Sequence, residues 1–140
     1  MTRPLTILEM SRRSGFSEPT LRYYEKTGLL GTVGRDPETG HRRYDAATAE
    51  RVEALACLRS SGVSVDGLRD YVRLLAHGTE KAGELNGLFA AQAGQLAAEI
   101  ERLRVRHEYL TLKAELWAAR GRGEDDAAIV ERVEEVLKRF

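Results

Sequence analysis

Cysteine is all but missing from this chain of 140 residues, which carries Cys57 alone, so no disulfide can form within it. Histidine occurs three times, without the spacing that closes around zinc. No run approaches the roughly 18 apolar residues of a membrane span. Met1 is not followed by a basic segment and an apolar core, so no secretion signal is expected either. Net charge is absent too: 22 Lys and Arg stand against 22 Asp and Glu, which gives the whole chain no general pull toward a polyanion. Paired carboxylates, a nucleophile with its base and a phosphate-cradling glycine loop are all lacking, which speaks against an enzyme. The expectation is a soluble, cytoplasmic protein with no metal and no cofactor. It is long enough for one compact domain plus an extension.

What is present is concentrated in Ser17-Glu-Pro-Thr-Leu-Arg-Tyr-Tyr-Glu-Lys-Thr-Gly-Leu-Leu30. Ser17 is a helix cap, Pro19 sits in the first turn where a missing N–H costs nothing, and Glu18 suits the positive helix end. Leu21 faces inward and Gly28 stops the helix. Just before it, Thr6 caps a short helix with Ile7 and Met10 inward and Gly15 as its stop. Two short helices joined by a tight turn form a helix-turn-helix, whose second helix can enter a major groove. The stretch 34–44, with its Pro and Gly turn and the run Gly40-His-Arg-Arg-Tyr44, reads as a β-hairpin whose guanidinium groups can reach phosphates on either side. Residues 1 to 44 hold eight basic against five acidic residues, and 74 to 140 hold ten against twelve. The small surplus therefore lies where the hairpin and helix are.

A third helix is expected from an Asp45 cap to Gly62, and a fourth from a Ser64 cap to about Ala76, with Val65, Leu68, Val72 and Leu75 inward. Then Phe89, Ala93, Leu96, Ile100, Leu103, His107, Leu110, Ala114 and Trp117 alternate steps of four and three, a coiled-coil seam with one polar interruption at His107. It runs for about 28 residues, or roughly 42 Å. That is more than so small a domain can cover by folding back, and a second chain is the expected cover. Gly121 and Gly123 break the helix. Asp125 and Asp126 begin another that carries Ile129, Val133, Val136 and Phe140 inward, with Glu134–Lys138 and Glu135–Arg139 as supporting pairs. This tail is expected to pack on the dimer. About 17 residues follow Gly123, too few for a separate ligand-binding domain.

In the order Thr6-Ile-Leu-Glu-Met10, Leu21-Arg-Tyr-Tyr-Glu25 with Gly28-Leu-Leu30, Gly40-His-Arg-Arg-Tyr44 and Leu58-Arg-Ser-Ser-Gly-Val-Ser64, the sequence resembles the MerR family of bacterial transcription regulators. The likeness is close over the first 76 residues and holds in outline over the coiled coil. It implies a mainly α protein: a winged helix-turn-helix DNA-binding domain at 1–76, a long antiparallel dimerisation coiled-coil helix at 77–120 and a short C-terminal helical tail at 121–140. It further implies a homodimer on double-stranded promoter DNA, where it bends and untwists the promoter so that RNA polymerase can use misplaced elements. Ser17, Thr20 and Tyr23 then become candidates for groove and backbone contact, with Arg22, Tyr24, Arg42 and Arg43 as phosphate clamps. Tyr24 has the spacing of a residue that is half core. His41 stands where typical members have an aromatic, which bears on how the wing packs.

The metal-sensing branches resemble one another in cysteines at the start of the dimer helix and in a C-terminal loop, and this sequence has none in either place. Cys57 falls off the apolar stripe of its own helix, beside Glu50 and Glu53. Thiol- and aldehyde-responsive members carry a cysteine in a similar place, so Cys57 is the candidate sensor of an electrophile or redox signal. The other reading is a small buried thiol facing the partner helix. Its own helix brings no cation near, so an activating group has to come from elsewhere in the dimer. An apolar small-molecule effector held by Tyr71, Phe89, Tyr109 and Trp117 is a further alternative, as is a helical interaction module that docks a protein partner through its coiled coil.

Overall fold

The structure is a computed structural model and describes residues 3 to 140. Six α-helices and two short strands follow one another: α1 (Ile7–Ser14), α2 (Glu18–Lys26), β1 (Gly34–Arg35), β2 (Arg42–Arg43), α3 (Ala46–Ser60), α4 (Val65–Leu75), a 3-10 turn at Gly78–Lys81, α5 (Ala82–Gly121) and α6 (Ala127–Leu137). The chain divides into two compact units, Met1–Phe89 and Ala90–Phe140. No helix among the described residues is long and apolar enough to cross a membrane.

In the first unit the starts of α1 to α4 are written locally. Thr6 accepts from Glu9 N–H at 3.1 Å while the Glu9 carboxylate accepts from Thr6 N–H at 3.0 Å, a reciprocal capping box. Ser17, Asp45 and Ser64 cap α2, α3 and α4 through their side chains. Gly15, at φ 84°, takes the left-handed conformation that lets α1 end and α2 begin three residues later. The strands pair antiparallel with Gly34 opposite Arg43 and Arg35 opposite Arg42. Leu5 and Tyr44 exchange two backbone hydrogen bonds of 2.8 Å, so the segment before α1 is laced to the end of the hairpin.

One core gathers the unit: Met10 from α1, Leu21 and Tyr24 from α2, Leu29, Leu30 and Val33 from the following turn, Tyr44, then Ala49, Val52 and Leu55 from α3, Val63, and Leu68 from α4. Burying each large aliphatic side chain here contributes about 1.5–3 kcal/mol. On α4 the expected stripe is only partly right. Leu68 is buried and Val72 packs on the core, but Leu75 is exposed and Leu74 is the buried residue of the last turn. In the last turn the buried side is that of Leu74, about 100° around the helix from Leu75, so the residue that continues the stripe by angle is left outside the packing.

In the second unit α6 runs back along α5. Val136 and Val133 pack on Val105, Tyr109 and Leu112, and Leu116 and Ala119 of α5 are buried as well. Ion pairs flank this contact: Arg120–Asp126 at 2.7 Å, Arg132–Glu115 at 3.1 Å and Arg139–Glu108 at 2.7 Å. The tail expected to pack on a dimer thus packs on its own chain. Arg139 reaches across to Glu108 and Glu101 instead of pairing with Glu135, which pairs with Lys138 one residue nearer than expected. Phe140 is mostly exposed rather than inward, though its ring meets Tyr109 edge-on at 5.4 Å.

The Arg3 guanidinium, hydrogen-bonded to both Glu9 oxygens, and the N–H of Thr6 hold the Glu9 carboxyl down from 4.5 to about 2. A depressed carboxyl adds stability above its ordinary value and loses it as the pH falls toward the folded one. Glu9→Gln is therefore expected to lower the melting temperature by a few degrees near neutral pH, and the gap from the parent protein should close between pH 4.5 and about 2. A gap that stays constant through that range in thermal scans would remove the capping box from the stability of α1.

Candidate nucleic-acid interface

Helix α2 has nine residues and buries two of them, Leu21 and Tyr24. Because residues three apart share a face, burial of this pair turns Arg22, Tyr23 and Lys26 outward. At its start, Thr20 donates its backbone N–H to Ser17 Oγ at 3.2 Å, and the two hydroxyls lie 2.8 Å apart. Both hydroxyls belong to the helix N-terminus, where backbone N–H groups and dipole favour an anion. Arg22 is exposed 3.8 Å from Glu18. Tyr23 is half exposed, and its hydroxyl accepts from Arg69 Nη2 of α4 at 3.3 Å. Tyr24 is a core residue only 4% exposed, with its ring edge-on to Phe16 at 5.1 Å. Its ring anchors the helix from within the core.

The hairpin stands beside α2 and is closed by its own turn. Asp36 accepts the N–H groups of Glu38 at 2.9 Å and Thr39 at 3.1 Å, and Gly40 takes φ 73° to bring the chain back. Those backbone donors first, and the Arg43 guanidinium after them, hold the Asp36 carboxyl below the usual carboxylate range. Arg43 lies 3.5 Å from Asp36. Arg42 and Arg35 both turn to Glu25 of α2: Arg42 through Nε, and Arg35 through Nη2 at 3.4 Å. His41 points to solvent, so the wing is held by Asp36, Gly40 and the Leu5–Tyr44 bridge and needs no aromatic at that position. Tyr44 is fully buried and its hydroxyl has no partner among the described residues; burial pushes the phenol up from its ordinary value.

Arg22, Tyr23, Glu25, Lys26, Arg35 and Arg42 line one open concavity between helix and wing. A second, bordered by Thr6 and Ile7, shares Arg22, Arg35 and Arg42 with it and adds His41 and Arg43. Of the seven candidate contact residues, Arg22, Tyr23 and Arg42 line the first concavity and Arg22, Arg42 and Arg43 the second. Ser17 and Thr20 stand at the start of α2, and Tyr24 is buried in the core. The geometry adds Glu25, Lys26, Arg35 and Arg69. Their signal in sequence was only charge, because the partners of Glu25 and Arg69 lie 17 and 46 positions away.

Cys57 is exposed on α3. Glu53, one turn before it, is engaged by Arg13 of α1 through Nε and Nη2. Of the aromatics weighed for an apolar ligand, Tyr71 meets Phe89 edge-on at 5.6 Å and Tyr109 meets Phe140, while Trp117 is largely exposed under the Arg120 guanidinium at 5.0 Å. Among the described residues no three His, Cys, Asp or Glu side chains come together as metal ligands would.

A short helix with a polar outer face, set against an arginine-bearing hairpin, defines a winged helix-turn-helix protein. The chain belongs to the MerR family: residues 5–75 match the MerR HTH family regulatory proteins. It is 31% identical over 99 residues to an uncharacterized HTH-type transcriptional regulator of Haemophilus influenzae, a match covering 71% of this chain and 73% of that one. To the HTH-type transcriptional regulator AdhR of Bacillus subtilis it is 29% identical over 92 residues, 66% of this chain and 65% of that one, so this match spans just under two thirds of the relative. Among solved structures it is similar to HiNmlR, a MerR family regulator lacking the sensor domain and bound to promoter DNA, with a TM-score of 0.71, 28% identity and 94% of each chain covered. Family and fold are those of a transcriptional regulator and not of an enzyme.

The packing of Tyr24 leads to a contrast. Tyr24→Ala is expected to cost about 3–5 kcal/mol of stability, as deletion of a buried aromatic ring does, while Tyr24→Phe stays within about 1 kcal/mol of the parent. Urea unfolding measures both, and a Tyr24→Ala protein as stable as the parent would place the ring outside the core.

Proposed function

We propose that two copies of the chain bind one promoter duplex, with each α2 entering a major groove and each wing gripping the flanking phosphates. The observation that carries this reading is the single surface formed by the polar face of α2 and the arginines of the wing. Ser17, Thr20 and Tyr23 face the groove wall and backbone, and Arg22, Arg42 and Arg43 meet phosphates. Tyr24 acts from the core by setting the helix. The promoter-bound state of the similar HiNmlR structure supports the same role here.

The second chain is supported by α5. Leu96, Ile100, Leu103, Leu110 and Trp117 remain 43%, 44%, 51%, 67% and 62% exposed in the single chain, at the coiled-coil spacing that pairs helices. Residues 1–76 then read DNA, the helix of 77–120 joins two chains, and 121–140 covers the opposite side of that helix. With two reading heads joined in one dimer, the protein bends and untwists the promoter and so changes how RNA polymerase engages it. Deforming 20–30 base pairs costs about 1–6 kcal/mol, a range that an effector can supply by coupling. Cys57, exposed on α3, is the place where an electrophile or redox signal enters.

Fluorescence anisotropy on a duplex from upstream of the protein's own gene tests the DNA contact. Arg42→Ala should weaken binding to all sequences and lower the slope of log affinity against log salt by about 1; an unchanged slope takes Arg42 off the phosphate. For the signal, Cys57→Ser should abolish the response of a promoter reporter to aldehydes or diamide. A variant that still responds like the parent excludes the thiol.

A further inference from the structure

Glu25 is an acid at the centre of a surface that otherwise collects positive charge. Four cations, Arg22, Lys26, Arg35 and Arg42, line the concavity with this one carboxylate. Simple Coulomb attraction says that such a residue should repel DNA. Its geometry says something else. The Glu25 side chain is only 16% exposed, Oε2 takes the Nε of Arg42, and Oε1 takes Nη2 of Arg35 at 3.4 Å. Arg35 also donates Nη1 to the Gly40 carbonyl at 3.3 Å.

The nitrogen that Glu25 engages on Arg42 is the inner one. The two terminal nitrogens of that guanidinium make no hydrogen bond among the described residues, and they are the pair whose spacing fits two oxygens of a phosphate. The same carboxylate ties both strands of the wing to the last turns of α2. It therefore sets the distance between the element that enters the groove and the element that grips the backbone.

We propose that Glu25 is a positioning residue for DNA recognition: it holds Arg42 from behind so that its free terminal N–H groups are presented to phosphate, and through Arg35 it fixes the wing against α2. This rests on the reading that the α2–wing face binds DNA. A free arginine has to give up its rotamer freedom on binding, whereas one already held loses less. In this site that gain outweighs the repulsion of one largely buried negative charge.

The test is the sign of a charge removal. Anisotropy titrations at about 0.15 M salt, on a duplex of about 30 base pairs from upstream of the gene, compare the parent with Glu25→Gln, Glu18→Gln, Arg42→Lys and the double variant Glu25→Gln with Arg42→Lys. Glu25→Gln should bind about tenfold more weakly although it has lost a negative charge. Glu18→Gln, the same charge change at an exposed site, should bind as tightly as the parent or more so. In the Arg42→Lys background, where no inner guanidinium nitrogen remains to be held, the Glu25→Gln loss should shrink toward nothing, the signature of coupling in a double-mutant cycle. Equal or tighter binding by Glu25→Gln overturns the proposal. Should circular dichroism show that variant unfolded, Arg42→Lys alone decides: it keeps the charge and loses the fork, and parental affinity for it overturns the proposal as well. A parent protein without salt-dependent binding would instead refute the DNA reading beneath it.

Discussion

The burial of Leu21 and Tyr24 from one side of a nine-residue helix is the constraint on which the rest of the first unit depends. Those two side chains fix the rotation of α2 about its own axis, and the rotation decides what faces out. With Tyr24 locked against Phe16, the next residue along, Glu25, is carried toward the hairpin, and Arg22 and Tyr23 are carried to solvent. The core thus sets the interface, and the arginines of the wing are arranged around a helix whose orientation is already settled.

The second unit obeys a different constraint. Helix α5 is apolar along two lines. One line, Val105, Tyr109, Leu112, Leu116 and Ala119, is covered by α6. The other, through Leu103, Leu110 and Trp117, is offset by two residues, about 200° around the helix, and stays open. A helix of 40 residues with so narrow a covering element leaves much apolar surface to a further partner. Ion pairs steer α6 into place, but exposed pairs of this kind each contribute about 1 kcal/mol or less, so the apolar contact carries most of the docking.

Local signals in the sequence were legible and long-range pairings were not. The caps Thr6, Ser17, Asp45 and Ser64 lie within three residues of the N–H groups they satisfy, and the Gly15 stop and the hairpin turn are equally local, so elements and boundaries followed from residue chemistry. Glu25 meets Arg42 across 17 positions and Arg139 meets Glu108 across 31; nothing in the intervening residues announces either. The double nature of α5 escaped for another reason. A periodic pattern read for one stripe leaves Val105, Tyr109 and Leu112 unassigned, and the second stripe becomes visible only when α6 lies on it. Leu75 and Phe140 were misplaced because periodicity gives direction and not where the packing surface ends.

The proposed reading face of α2 and the wing, taken with the uncovered stripe on α5, supports the proposal that chains act in pairs on DNA. Native mass measurement of the protein with a duplex from upstream of its gene tests that most directly. The expected result is two chains on one duplex, with little of the one-chain complex even when DNA is in excess. One chain per duplex at all ratios, or no complex at low salt, would contradict it.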